Sequence, residues 1–375
     1  MEIKNYVQKN KDEMYEILKD LCHIPAPSHM EQKRAEYCKN KLLEMGAEGV
    51  YIDDALNVVY PINCEGSSEI TVVVAHTDTV FPDLEPMPYS DDGKIIRCPG
   101  VGDDTASVAV LMISAKYLIE NNIKPENGLL IVLNSCEEGL GNLKGTRQIF
   151  KDFEGRIKQF ISYDGIIGSI ADRCVGSHRY EVTVKTEGGH SYGAFGNKNA
   201  IAELSKIVTE IFKIEVPHIG NSKTTYNVGT ITGGTSVNTI AQEASMLCEY
   251  RSDNVDCLGI MKEKFEKIFH DAKSDDVEVL VKLVGERPCA DGVDEEKIRE
   301  LCNTFEKDIK EVWGVEEIRY HSSSTDCNIP LSLGVPAICT GVYNGGGAHT
   351  REEWIEKASM IPGLELGIKH ILSII

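Results

Sequence analysis

The chain has 375 residues, 42% of them apolar, and 39 Lys plus Arg residues stand against 59 Asp plus Glu, for a formal charge of -20. That length suits one large domain or two smaller ones. The negative charge repels phosphate backbones and anionic lipids, so we expect neither nucleic acid nor a membrane surface as a partner.

The amino-terminal segment and the cysteines indicate the compartment. Residues 1–21 lack the apolar core of a signal peptide, and we find no apolar run long enough to span a bilayer. The twelve cysteines include no Cys-x-x-Cys pair, so we expect reduced thiols that are buried as small hydrophobic residues. We therefore expect a cytoplasmic protein.

The first part of the chain alternates predicted helices with predicted buried strands. The spacing of apolar residues predicts helices over 5–22, 30–46 and 105–120. Short apolar runs predict buried strands at 57–62, 70–75, 129–134 and 159–163. This alternation is typical of a mostly parallel sheet that is covered by helices on both faces.

A different pattern begins at about residue 176. Strands that alternate apolar and polar residues are predicted at 179–188, 225–233, 243–252 and 277–285, with helices over 199–213 and 255–272. The order strand–helix–strand–strand–helix–strand is typical of a ferredoxin-like α+β domain.

The first pattern resumes at about residue 290, with a helix to about 313, a buried strand at 334–341 and a final helix from 357. We therefore predict an α/β fold with a mixed, mostly parallel sheet flanked by helices. Its catalytic domain is split into 1–175 and 288–375, and a ferredoxin-like lid domain is inserted at 176–287.

The predicted buried strands of the split domain end in side chains that can bind a metal. These are His76 and Asp78 after the strand at 70–75, Glu137 and Glu138 after 129–134, Asp164 after 159–163, and His349 after 334–341. Asp103 and Asp104 directly precede a predicted helix. Because ligands bind outside the carboxyl ends of strands in open α/β sheets, we expect these side chains to converge on one crevice.

Each feature also has a simpler explanation. A single His after a strand is commonly structural, Asp104 could cap the helix that follows it, and the Gly-rich run before His349 could be a flexible loop. Their combination at successive strand ends favours a metal site. Oxygen and imidazole ligands without thiolates suit Zn²⁺, or Mn²⁺ or Co²⁺, and two such ions would need a bridging carboxylate and a separate general base.

Five segments resemble the metal-site motifs of the co-catalytic zinc exopeptidases: AHTDTV, GVGDDTAS, SCEEG, SYDG and GAHTREEW. That family includes peptidase T, acetylornithine deacetylase, succinyl-diaminopimelate desuccinylase and glutamate carboxypeptidase. The order and spacing of the motifs agree, and the resemblance covers essentially the whole chain. It implies the zinc-exopeptidase fold with its inserted lid.

The resemblance also implies two zinc ions per subunit and a role for each motif residue. His76 and Asp164 would bind the first ion, Glu138 and His349 the second, and Asp103, followed by a cis peptide bond, would bridge the two. Asp78 would orient His76, and Glu137 would be the general base that deprotonates a water between the ions.

The inserted segment carries three further candidates by the same resemblance. His190 in EGGHSYG would stabilise the oxyanion, frequently across a dimer, so we expect a homodimer through this domain. Asn238 in GGTSVNTIAQEA and Arg251 in CEYRS would contact the substrate, although Arg251 could equally be paired with a neighbouring acid. Asp326 in STDCNIP lies in a family-like segment and receives no role.

The resulting hypothesis is a di-zinc hydrolase that cleaves amide bonds in small peptides, as an exopeptidase, or in N-acyl amino acids, as a deacylase. A nucleotide-dependent enzyme is a weaker alternative, because Gly100 and Gly102 supply only half of a dinucleotide fingerprint and no strand directly precedes them. A non-catalytic binder that keeps the fold is a third, but no expected ligand is missing from the sequence.

Overall fold

The computed structural model describes residues 2–375, which form two compact units. The first unit comprises residues 2–174 and 291–375, and the second comprises Val175–Ala290. In residues 2–375, every helix is too short or too polar to cross a membrane.

The strands of the first unit form two sheets. In chain order they are β1 Tyr51–Ile52, β2 Val58–Ile62, β3 Ile70–His76, β4 Ser90–Asp91, β5 Ile95–Arg97, β6 Gly128–Asn134, β7 Ile157–Tyr163, β8 Ser169–Cys174 and, after the second unit, β15 Arg319–Ser323, β16 Ala337–Thr340, β17 Gly345–Gly346 and β18 Trp354–Glu356. The large sheet has the order β1-β2-β6-β3-β7-β16-β8-β15, and the small one has the order β17-β18-β5-β4.

The centre of the large sheet is parallel, as predicted. Strands β6, β3, β7 and β16 pair in parallel, whereas β1, β2 and β8 join antiparallel to a neighbour. All residues of β3 and β6 are buried, because helices cover both faces of the sheet. The carboxyl ends of β6, β3 and β7 therefore lie side by side at one edge.

The helices of the first unit supply the rest of its core. They are α1 Ile3–Cys22, α2 Gln32–Glu44, α3 Ser107–Glu120, α4 Lys144–Asp152, α7 Glu295–Trp313, α8 Asn328–Ser332 and α9 Met360–Ser373. Helix α3 is apolar on almost every side and is buried over most of its length, and α1 and α9 pack against it. A kinked turn over Val101–Ala106 leads into α3, and Asp103 and Asp104 within it have non-helical backbone angles.

The second unit has the predicted β-α-β-β-α-β order. Its elements are β9 Gly176–Lys185, β10 Gly189–His190, α5 Ala200–Ile211, β11 Thr224–Gly233, β12 Thr239–Ile240, β13 Glu243–Ser252, α6 Val255–Asp271 and β14 Glu278–Arg287. Four of these strands form an antiparallel sheet in the order β11-β13-β9-β14, against which α5 and α6 pack. This is the ferredoxin-like arrangement, with a small β10–β12 ribbon added.

Candidate metal centre

Three neighbouring strands and two loops bring the predicted ligands together. His76 is the last residue of β3, and Asp164 directly follows β7. Glu138 lies four residues beyond the end of β6, Asp103 lies in the turn before α3, and His349 lies between β17 and β18. Because β6, β3 and β7 are parallel neighbours, their carboxyl ends deliver these side chains to one place.

The side chains form three overlapping groups that could each hold a cation. The groups are His76, Asp103 and Asp164; Asp103, Glu138 and His349; and His76, Glu137 and Glu138, and within each group the donor atoms lie within 4.8 Å of one another.

Asp103 connects the two histidines. Its Oδ1 lies 3.0 Å from Nε2 of His76, and its Oδ2 lies 3.1 Å from Nε2 of His349. Nε2 of His349 is also 3.2 Å from Oε1 of Glu138. One carboxylate therefore offers an oxygen to each side, which is the arrangement that a bridging ligand requires.

The pKa shifts of these groups indicate that the site favours positive charge. Removal from water raises the pKa of Glu138 to about 7 against its hydrogen bond with His349. Removal from water and the charge of Asp103 raise the pKa of Asp164 well above its usual value. Hydrogen bonds to Asp103 and Glu138 raise the pKa of His349 to about 11. Without a cation, protons must supply the missing charge.

The donor set fits divalent metal ions. Carboxylate oxygens and imidazole nitrogens with no thiolate suit zinc, manganese or cobalt. Bound cations would take the place of the protons, so metal affinity should increase with pH.

Asp78 contacts His76 and also the backbone of Glu137 and Glu138. Its carboxylate accepts the backbone N–H groups of Glu137 at 3.0 Å and of Glu138 at 2.9 Å, and it accepts the hydroxyl of Ser28 at 2.6 Å. Its Oδ1 is 3.5 Å and its backbone oxygen 3.1 Å from Nδ1 of His76. Burial raises the pKa of Asp78, but the contact with His76 outweighs it and lowers the pKa overall.

The peptide bond between Asp103 and Asp104 is cis, as the resemblance implied. Asp104 does not cap the helix, because the residue at the N-cap of α3 is Ala106, which makes no side-chain capping bond. The carboxylate of Asp104 instead accepts the backbone N–H of His76 at 3.0 Å. Asp103 therefore faces the two histidines of the candidate metal centre, whereas Asp104 supports the backbone of His76.

Glu353 is a supporting residue that the sequence analysis missed. Its carboxylate is 2% exposed and accepts the backbone N–H groups of Gly100 at 2.6 Å, of Gly102 at 2.8 Å and of Asp103 at 2.7 Å. Burial raises its pKa to about 7 despite these bonds. Its position in GAHTREEW, one of the segments that resemble metal-site motifs, is a sequence signal that could have identified it.

Asp326 is also buried beneath this edge of the sheet. It accepts Nδ2 of Asn134, the last residue of β6, at 2.6 Å, and the hydroxyl of Thr146 at 2.5 Å. Burial, followed by the charge of Glu137, raises its pKa to about 7. It therefore joins the end of β6 to helix α4.

Two of the three candidates in the second unit lie next to each other. His190 in β10 pairs with Thr239 in β12, and the N–H of Ser191 donates to the carbonyl of Asn238 at 2.9 Å. Nδ1 of His190 is 3.3 Å from the backbone N of Tyr192 and of Gly193, so in a neutral ring the proton resides on Nε2. Their roles at a substrate stay predictions.

Arg251 lies elsewhere in the second unit, on β13. Its Nε and Nη2 donate to the two carboxylate oxygens of Glu249 at 2.8 and 3.0 Å. This is the pairing with a neighbouring acid that was the alternative explanation for Arg251, and its contact with a substrate remains a prediction.

Known proteins share both the sequence pattern and the fold. The model of peptidase family M20/M25/M40 matches residues 72–372. Succinyl-diaminopimelate desuccinylase of Corynebacterium glutamicum is 24% identical over 341 residues, which cover 89% of each chain.

Among solved structures, the aminopeptidase PepT of Bacillus cereus superposes with a TM-score of 0.73 at 20% identity, over 97% of this chain and 98% of that one. YXEP of Bacillus subtilis, described as a dinuclear metal-binding peptidase, superposes with a TM-score of 0.64 at 13% identity, over 97% and 99%. These similarities show that the fold is shared.

Proposed function

Because this chain belongs to the peptidase family M20/M25/M40 and is a metal-dependent hydrolase of peptide or amide bonds, we propose that it is an exopeptidase of small peptides. Its substrates would be di- or tripeptides, and its cofactor would be a pair of divalent cations, zinc in the first instance. The observation that supports this most directly is the position of Asp103 between two histidines.

The proposed ligands divide into two sets that share Asp103. His76, Asp103 and Asp164 would hold one ion, and Asp103, Glu138 and His349 would hold the other. When bound, the two cations would supply Lewis acidity, which lowers the pKa of a water and stabilises charge on a carbonyl oxygen.

Glu137 would accept the proton of the attacking water and return it to the leaving amine. Its carboxylate is 4% exposed and has an oxygen within 4.8 Å of donor atoms of His76 and Glu138. The backbone N–H of Glu137 donates to Asp78, which fixes the position of the residue. The two ligand sets that share Asp103 are complete without the carboxylate of Glu137. A base next to the ions that is not one of their ligands is what hydrolysis requires.

The proposal is tested by a substrate panel and a metal titration. The purified chain, stripped with a chelator, is assayed on dipeptides, tripeptides and N-acyl amino acids with added Zn²⁺, Mn²⁺ or Co²⁺. We expect hydrolysis of short unblocked peptides that the chelator abolishes and the metal restores, with two ions bound per chain. Metal-restored hydrolysis confined to N-acyl amino acids would contradict exopeptidase action.

A deacylase of N-acyl amino acids is the second candidate. Its support is the similarity to a succinyl-diaminopimelate desuccinylase over 89% of both chains. Both reactions break an amide bond, use the same metal chemistry and release an amino acid. The panel distinguishes them by the second product, which is another amino acid or a shorter peptide for a peptidase and a carboxylic acid without an amino group for a deacylase.

A further inference from the structure

Arg34 on helix α2 is a buried cation close to the metal centre. The residue is 2% exposed and donates four hydrogen bonds. Nε donates to the carbonyl of Ile24 at 3.1 Å, and Nη2 donates to the carbonyl of Leu21 at 2.8 Å. Nη1 donates to the carbonyl of Thr77 at 2.8 Å and to the hydroxyl of Thr105 at 3.3 Å. Across residues 2–375, no acid forms an ion pair with it.

Part of this arrangement has a purely structural explanation. Leu21 lies in the last turn of α1 and Ile24 just beyond it, where carbonyl groups lack the regular helical acceptor pattern and the helix dipole favours a cation. A cation at this position stabilises the end of α1. That role accounts for Nε and Nη2, but it does not account for Nη1.

The two acceptors of Nη1 belong to the loops that carry the proposed ligands. Thr77 stands between His76 and Asp78, and its carbonyl accepts one N–H of the guanidinium. The hydroxyl of Thr105 accepts the other and itself donates to the carbonyl of Gly100 at 2.5 Å, which closes the turn around Asp103. One planar group thus joins the end of β3 to the turn before α3.

We propose that Arg34 is a positioning residue of the metal centre, which sets His76 and Asp103 at the separation that a shared cation requires. This inference rests on the proposed function, because it takes these two side chains as ligands. The guanidinium is suited to the task because its donors diverge in one rigid plane. Lysine would keep the charge but not the fixed geometry.

The test is Arg34→Lys, with metal affinity measured by competition with a chelating dye, in the absence of substrate. We expect the dissociation constant for zinc to increase about tenfold and kcat to fall by a similar factor, as for other residues that orient ligands indirectly. KM should change by less than about threefold, since uniform substrate binding is not affected.

Leu42→Ala is the matched control for lost stability. Leu42 is fully buried on the same helix as Arg34 but belongs to the hydrophobic core. We expect this variant to unfold at lower temperature and to retain the metal affinity and kcat of the wild type. Equal losses of metal affinity in Leu42→Ala and Arg34→Lys at matched stability would show that Arg34 only stabilises the fold.

Thr105→Val provides a milder variant if Arg34→Lys does not fold. It removes the hydroxyl between Nη1 and Gly100 and leaves the end of α1 intact. We expect weaker zinc binding, by about threefold to tenfold; an unchanged affinity would overturn the inference. The wild type, assayed in parallel, separates the two proposals, because failure of its own metal binding and hydrolysis would reject the proposed function instead.

Discussion

Replacement of Glu353 by Gln tests whether this buried carboxylate fixes the turn that carries Asp103. The amides of Gly102 and Asp103 share Oε1, and the amide of Gly100 donates to Oε2. In Glu353→Gln the side-chain oxygen can keep the first two bonds without the charge. The NH₂ group would then face the N–H of Gly100, so that two donors oppose each other.

The structure allows the cost to be worked out bond by bond. A hydrogen bond to a charged group contributes about 1.5–3 kcal/mol and a neutral one about 1 kcal/mol, so two bonds that lose their charge cost about 2 kcal/mol together. A buried N–H of Gly100 without an acceptor adds about 2 kcal/mol. Loss of the charge also removes the burial cost that raises the pKa of Glu353 from 4.5 to about 7, which is worth about 3 kcal/mol in the opposite direction. We expect the free energy of unfolding to fall by about 1 kcal/mol in all.

Urea unfolding followed by tryptophan fluorescence measures this loss in the relevant unit. The two tryptophans of the chain, Trp313 and Trp354, both lie in the first unit. The measurement is made at pH 8 without metal, because burial raises the pKa of Glu353 to about 7 and its carboxylate is ionised above that pH.

Glu352→Gln is the control. Glu352 is the exposed neighbour of Glu353, and its substitution removes the same charge. We also expect weaker zinc binding in Glu353→Gln alone. The reasoning is refuted if Glu353→Gln and Glu352→Gln bind zinc with the same affinity, or if Glu353→Gln is the more stable of the two by more than about 1 kcal/mol.

Other predictions concern the catalytic groups and the pH dependence of stability. Glu137→Gln should retain two zinc ions by elemental analysis and lose about 10²- to 10⁴-fold in kcat, and a wild-type kcat would remove its role as base. Glu138→Ala should bind fewer zinc ions per chain; unchanged stoichiometry would exclude it as a ligand. His190→Ala should lower kcat with the zinc stoichiometry intact. Burial lowers the pKa of His370 to about 3 from its usual 6.5. Protonation in the unfolded chain therefore removes stability as the pH falls below 6.5, by about 2 kcal/mol at pH 5. His370→Leu should be less sensitive to a change from pH 7 to pH 5 by that amount in urea unfolding, and identical pH profiles would contradict the assignment.

The buried elements of the fold could be predicted because their residues are apolar over a whole run. Strand β3 and helix α3 were both placed within two residues of their observed starts, since burial on all sides leaves a continuous apolar pattern.

Elements with a polar or interrupted pattern were missed. Strand β15, with the sequence RYHSS, lies at the edge of the sheet and needs few apolar residues. Helix α4 has only 9 residues, and α8 contains Pro330. Helix α7 begins at Glu295, later than predicted, because Asp294 caps it and Gly292 before it is left-handed. Tertiary pairing, which sequence spacing does not reveal, determines such segments.

In the candidate site, too, some residues could be predicted from the sequence and others could not. Its ligand positions follow from polar residues at the ends of apolar strands, which any parallel sheet brings together. Arg34 and Glu353 do not follow an apolar strand, and their hydrogen bonds to backbone groups of distant loops appear only in the structure. For Glu353, only its place in a motif segment gave a signal. The sequence does not show whether a given Arg or Glu is exposed or buried, because burial depends on the fold.

The position of β16 also determines the order in which the chain can complete its fold during synthesis. This strand lies between β7 and β8, although 162 residues separate Cys174 from Ala337 in the chain. The second unit is continuous and has its own core, so it can form on the ribosome once residue 290 has emerged. The large sheet must wait with an unpaired edge at β7 for about 50 more residues, a few seconds at usual rates of translation. The proposed ligand His349 emerges later still, so the proposed metal centre cannot be complete until residue 349 has left the ribosome.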